Sequence, residues 1–295
     1  MKEVVGVLNG IPAPEDRWDD GVGGIDGLEA LVYRSNLLGS DRALANQGGG
    51  NTSAKGTAVD HAGREQRVLW VKGSGTDLAS ITPAGFAALR LDEVVPLRER
   101  ESMVDATMVD YLVRCALSPS QPRPSIETLL HAFVRAPHVD HTHPDSIIAL
   151  TSSPNGRRLA EEEFGDEAVW LDYQRPGFDM SKRIAELLDA VPSARAVLLE
   201  KHGLVTWGAT PQQSYRDTIE FVARAAHALE RAGPASSAWA AGRPRSPRRT
   251  TPKPSSCEPF PCSAGHCSRT PTESSSRSTA APRPWRLLRR RERRK

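Results

Sequence analysis

The stretch HVDHTHPDSIIALTSS, residues 138–153, decides the fold class. Its first six residues read as a short strand, 138–143, and the remainder fits a helix, so the pattern changes period from two to 3.6 within one segment. On the strand, His141 and His143 are two residues apart and project from the same face. Two imidazoles so placed can share one metal ion, or can sit at a polar strand end and hydrogen-bond to loops. The pair alone leaves both readings open.

Outward from this segment the alternation continues. Toward the C-terminus, EAVWLDY (167–173) reads as a strand and MSKRIAELLDAV (180–191) as a helix. RAVLLE (195–200) is a strand, continued after a turn by GLVTWG (203–208), and residues 214–231 form a closing helix. Toward the N-terminus, SIETLLHAFV (125–134) and SMVDATMVDYLVRCAL (102–117) are helical, RVLWVKG (67–73) is a strand, and residues 25–38 carry apolar side chains at helical spacing. Helices and strands mixed in this order predict a layered α/β or α+β domain, and there is no internal repeat.

The chain has 295 residues, of which 38% are hydrophobic, enough for an ordinary core. Its net charge of +3 conceals an acidic body and a strongly basic end, so nucleic acid is not the expected partner. Residues 1–17 are read as an N-terminal extension, 18–232 as the domain, and 233–295 as a disordered Arg/Pro/Ser-rich tail whose composition offers no periodic apolar face. That tail, with stretches such as RPRSPRRTTPKPSS, is what a shifted reading frame of GC-rich DNA would encode. Cys257, Cys262 and Cys267 lie in it, whereas Cys115 stands alone in the body as a buried thiol. With one body cysteine, no signal-peptide pattern and no apolar run long enough for a membrane helix, a cytoplasmic location without membrane association is expected.

His202, in LLEKHGLV, follows an apolar strand and precedes a glycine suited to a tight turn. Together with His141 and His143 it makes a set of three neutral imidazoles, and three such ligands plus an open position are the arrangement of a catalytic zinc ion. His61 and His138 are read as surface residues, and His227 as a packing residue. Glu127 falls near a helix start with Ser125 as a candidate N-cap, where an acid favours the helix dipole without any catalytic role. His131, one turn later on the same face, either supports the site from behind or is packed in the core, and the core reading is preferred. Two small-residue loops, NQGGGNTSAK (46–55) and VKGSGTDL (71–78), expose backbone amides and hydroxyls suited to an anion. Neither is a Walker A loop, and GVGGIDG (21–27) places Asp26 where a dinucleotide fingerprint needs glycine.

Taken in order, GGGNTS, KGSGTDL, PSIE, HTH and LLEKHG resemble the motifs of the class II aldolase/adducin family, over about Trp18 to Arg231. Within it, YRSNLLGSDRALANQGGGNTS and PSIETLLHAF…VDHTHPD are most similar to the aldolase half of bifunctional rhamnulose-phosphate aldolase/short-chain dehydrogenases. The resemblance implies a single layered domain with a central mixed/antiparallel sheet flanked by helices. It implies Zn2+ on His141, His143 and His202, with Glu127 as acid/base. It puts Asn51, Ser74, Gly75 and Ser125 at phosphate-contacting positions, with Thr52 beside them. The implied partner is a small-molecule sugar phosphate in a homo-oligomer, and the implied reaction is aldol cleavage of a ketose 1-phosphate; the alternatives are a sugar-phosphate epimerase, an aldolase on an unphosphorylated substrate, and a non-catalytic fragment of a bifunctional aldolase/dehydrogenase. One departure is Ile126, where many sugar-phosphate aldolases carry a second serine. A dehydrogenase activity is not expected, because residues 233–295 contain no G-x-G-x-x-G.

Overall fold

In the computed structural model the described residues are 14–21 and 25–233, together with the short backbone hairpin of β1 (Val7–Leu8) and β2 (Ile11–Pro12). In chain order follow α1 (Gly27–Ser40), β3 (Asn51–Val59), β4 (Glu65–Lys72), β5 (Phe86–Arg90), α2 (Leu91–Val94), α3 (Asp105–Arg114) and α4 (Thr128–Phe133). The second half comprises β6 (His138–Thr142), α5 (Asp145–Ser152), α6 (Gly156–Phe164), β7 (Ala168–Leu171), α7 (Phe178–Ala190), β8 (Ala196–Leu199), β9 (Gly203–Gly208) and α8 (Pro211–Arg231).

Strands β3–β9 form one seven-stranded sheet in the order β5-β4-β3-β6-β9-β8-β7. Every pairing is antiparallel except β7 with β8. This is the mixed sheet flanked by helices that the sequence predicts. One face packs Leu69 and Val71 of β4, Val139 of β6 and Val197 and Val205 of β8 and β9 against α3, α4 and α7. The other packs Ala54, Ala196, Leu198 and Leu204 against α1, α5, α6 and α8. Period-two alternation therefore assigns each strand residue to one of two cores.

Strand β6 lies in the middle of this sheet, and its second face carries a polar cluster instead of an apolar one. Asp140 accepts hydrogen bonds from Arg34 Nε of α1 (2.9 Å) and Ser214 Oγ of α8 (2.6 Å), and Arg34 also donates to the Ser53 carbonyl (2.7 Å). Burial pushes the Asp140 carboxyl up and the Arg34 guanidinium down, each opposed by their mutual attraction. Ser35 donates to the Leu31 carbonyl (2.6 Å), which leaves its oxygen to accept from Thr52, 2.6 Å away. These contacts clamp α1 and α8 to the back of β6.

Several expectations need correction. Residues 51–55 are the start of β3, not loop: the glycines at 48–50 end before the strand begins. The extension read as 1–17 already joins the domain by Asp16 and Arg17, since Arg216 Nε donates to Asp16 (2.7 Å) and the Arg17 amide to Tyr215 (3.2 Å). His138 is buried, because it begins a central strand, whereas His227 is exposed on α8. The tail expectation for 234–295, with its three cysteines, lies outside the described residues. Cys115 is buried as predicted, and burial raises its thiol to about 12.

Removing one partner of a buried ion pair leaves the other charge uncompensated. Arg34→Ala is accordingly expected to cost about 3–5 kcal/mol, read as a lower denaturant midpoint; a loss under 1 kcal/mol would contradict the clamp.

Candidate metal centre and proton-transfer site

The front face of β6 carries His141 in register with Asn51 of β3 and Val205 of β9. His143 follows the strand end by one residue, and His202 sits in the tight β8–β9 connection. The three rings meet with centroids 4.7, 4.8 and 5.0 Å apart, and one ligand nitrogen from each lies within 4.8 Å of the others. The His141 and His143 Nε2 atoms approach to 2.9 Å. His141 Nδ1–H donates to the Leu204 carbonyl (2.9 Å), so its Nε2 is the nitrogen turned inward. Two ring nitrogens this close require a proton or a cation between them.

Glycines make room for this convergence. A Cβ on Gly203 would lie 2.4 Å from the Thr142 carbonyl oxygen and 2.8 Å from His143 Cδ2, and one on Gly49 would lie 2.9 Å from His143 Nδ1. The turn itself uses a different residue from the one anticipated. The positive φ falls on Lys201 (56°), not on Gly203, whose role is close approach.

Glu127 sits at the N-cap position of α4, but its carboxylate does not cap the helix. Oε1 lies 3.3 Å from His141 Nε2 and 3.4 Å from His202 Nε2, is buried, and has no hydrogen-bond partner among the described residues. Oε2 accepts from Asn51 Nδ2 (2.7 Å). The helix-dipole reading of this acid is thus replaced by a carboxylate turned into the histidines. Burial alone would push the carboxyl up; the charge of the nearby His141 and the Asn51 amide outweigh it and hold Glu127 below the usual carboxylate range. Burial disfavours a charge on His141 as well, but the Glu127 carboxylate outweighs this and raises it. His143, at about 3, and His202, at about 4, are held neutral by burial first and then by the positive charge of His141. Neutral imidazoles are the form that binds metal, so a cation here would take the place of the proton that Glu127 favours on His141 Nε2. Converging nitrogens, a fixed tautomer and an unpartnered buried carboxylate oxygen all fit a divalent cation held by His141, His143 and His202.

The remaining predicted residues divide. Ser125 accepts from the Glu127 amide (3.2 Å) and from Asn51 Nδ2 (3.3 Å). Ser74 and Gly75 are exposed beside it, because Gly73 bridges Pro124 and the Ser74 amide donates to the Arg123 carbonyl (2.9 Å). Thr52 is not brought to the site: it is fully buried on the opposite sheet face, bonded to Ser35. The loop at 46–50 is not an open anion cradle either, since the Gly48 amide donates to Asp77 (2.6 Å), a carboxylate of the other loop. Two residues without a required role in the sequence reading also lie here. Lys72 is buried at the end of β4, its ammonium disfavoured by burial and favoured by Asp77 and Glu127. His131, read as core, contacts Asn51 and Ser53.

With this geometry in place, comparison with known proteins is direct. Residues 29–229 match the class II aldolase and adducin N-terminal domain, and the chain belongs to that family. It is 54% identical over 199 residues to YuxG of Bacillus subtilis, described as an uncharacterized oxidoreductase. That match covers 68% of this chain and spans only 29% of YuxG. The N-terminal class II aldolase domain of a conserved protein from Thermoplasma acidophilum is 38% identical, with a TM-score of 0.69, over 74% of this chain and 100% of that one. Methylthioribulose-1-phosphate dehydratase of Pseudomonas aeruginosa is 29% identical over 136 residues, 40% of this chain and 66% of that protein. None of the described helices is long and apolar enough to cross a membrane.

Gly203→Ala isolates the steric argument, because Gly203 needs no left-handed backbone. The purified variant should carry far less than one metal per chain, whereas Lys201→Gly, which relieves the positive φ, should keep full metal. Full occupancy in Gly203→Ala would show that the ring approach is not required.

Proposed function

We propose that this chain is a zinc-dependent class II aldolase that cleaves a ketose 1-phosphate of the rhamnulose 1-phosphate type into dihydroxyacetone phosphate and an aldehyde. The observation that carries this reading is the Glu127 carboxylate, with one oxygen fastened by Asn51 and the other unpartnered and aimed at three metal-ready histidines. Zinc on His141, His143 and His202, when bound, supplies a Lewis acid for oxyanions of the substrate.

In aldol cleavage the hydroxyl on the departing fragment loses its proton and becomes the aldehyde carbonyl. The carbon–carbon bond breaks, and its electron pair stays on the carbon next to the ketone. That carbon must then be protonated. Glu127 Oε1, ionised before cleavage, is the group of this chain placed to take up the proton the hydroxyl loses and deliver it to that carbon, and in the synthetic direction to remove it again. The held Oε2 keeps the carboxylate from rotating away. Ser74, Gly75, Ser125 and the Ser125-facing N–H of Asn51 offer donors for the phosphate, and the Lys72 ammonium adds positive potential behind them. Thr52 has no part in it. An exposed Ile126 between Ser125 and Glu127 supplies an apolar contact where a second hydroxyl is absent. Assembly as a homo-oligomer belongs to the same reading.

The similarity to a methylthioribulose-1-phosphate dehydratase favours a second reading, in which the same carboxylate moves a proton next to a carbonyl and water departs with the carbon chain intact. Product analysis separates them. Metal-loaded protein given L-rhamnulose 1-phosphate should release dihydroxyacetone phosphate, Glu127→Gln should retain metal and lose about a hundredfold or more in turnover, and chelation should abolish it. A dehydrated product of unchanged carbon count, or consumption of a nicotinamide, would overturn the aldolase reading.

A further inference from the structure

The inward row of β3 is occupied by Asn51, Ser53 and Lys55, and all three fasten the segment that carries Glu127. Lys55 Nζ donates to the carbonyls of Val134 and Ala136 beyond the end of α4. Ser53 Oγ lies 2.8 Å from His131 Nδ1 in the middle of α4. Asn51 joins His131 Nε2 through Oδ1 and Glu127 Oε2 through Nδ2 at the helix start. His131 is fully buried, and burial together with the positive charge of His141 keeps it neutral, at about 3.

The proton positions in this chain follow from the carboxylate. Glu127 Oε2 accepts, so the Asn51 amide must turn its NH2 toward it and its carbonyl oxygen toward His131. His131 Nε2 must then carry the ring proton, and its Nδ1 lone pair must accept from the Ser53 hydroxyl. Each atom along the path Ser53–His131–Asn51–Glu127 is left one role, donor or acceptor. The alternative amide orientation would set the Asn51 oxygen against the carboxylate and its NH2 against a ring N–H, losing both bonds.

We infer that His131 is a positioning residue: acting through Asn51, it fixes the orientation of the Glu127 carboxylate and so makes Oε1 the oxygen that exchanges the substrate proton. The inference rests on the reading of Glu127 as the proton carrier. A histidine that merely filled the core would need no donor directed at Asn51. Without that donor the Asn51 amide loses the partner that holds its Oδ1 end, and the position of Glu127 Oε2 is left to the Asn51 Nδ2 bond alone.

Two measurements test it separately. In 15N-histidine-labelled protein, His131 should show the neutral Nε2–H tautomer between pH 5 and 9, a result that needs no substitution and no substrate; an Nδ1–H tautomer would overturn the relay. For turnover of L-rhamnulose 1-phosphate, His131→Asn cannot reach Asn51 and should lose roughly tenfold or more at unchanged metal content. His131→Gln keeps an N–H at the Nε2 position and should restore most of the loss. Because His131 acts through Asn51, His131→Asn should cost nothing further in an Asn51→Ala background, whereas a packing role would add to it. Equal activity of the Asn and Gln variants, with Glu127→Gln inactive, would overturn the inference while leaving the role of Glu127 intact. A fully active Glu127→Gln would overturn both.

Discussion

The register of β6 between β3 and β9 is the constraint on which the site depends. His141 faces forward to Glu127 while Asp140 faces back to Arg34 and Ser214. A slip of one residue would exchange these faces, burying an imidazole among the α1 and α8 contacts and placing a carboxylate among the metal ligands. The buried Arg34–Asp140 pair therefore does more than join helices to a sheet. It sets a large penalty on the wrong register, and the histidine cluster inherits its accuracy from that penalty. The pair is not required for a compact core, since buried ion pairs rarely exceed apolar packing in stability. Its value here lies in holding one alternation and not the other.

Two rows of side chains from adjacent strands complete the front face. β6 supplies histidines, and β3 supplies the polar row that holds α4. Because Asn51 pairs with His141 in register, the residue that orients Glu127 and the residue that the carboxylate approaches are cross-strand neighbours. The two glycine loops, tied together by Asp77 and Gly48, border this face beside Ser74 and Ser125. A small number of backbone registrations thus brings Glu127, the three histidines, Ser74 and Ser125 to one face.

Much of this was legible in the sequence. The H-x-H pair declares its geometry through strand period, His202 follows a run of β-forming residues, and the helices around them are plainly periodic. Other parts were hidden for identifiable reasons. The Gly48–Gly50 run resembles a turn and masks the strand that begins at Asn51, so Thr52 looked available when alternation sends it to the opposite face. Glu127 near a helix start is ambiguous, because an acid there is also favourable to the helix dipole. His131 in an apolar helix looks like packing until its two ring partners, both from β3, are known. His138 and His227 exchange their expected environments, as local pattern does not say which strand is central or which helix face is open. Long-range pairing decided each of these.

The central claim is that three histidines from two chain segments form one metal centre, with Glu127 reserved for proton transfer. X-ray absorption at the zinc edge of the loaded protein tests it most directly. The account predicts three imidazole nitrogens at about 2.0–2.1 Å, a shell unchanged in Glu127→Gln and reduced by one imidazole in His202→Ala. A shell with fewer than three imidazoles in the unsubstituted protein, or one indifferent to His202, would contradict it.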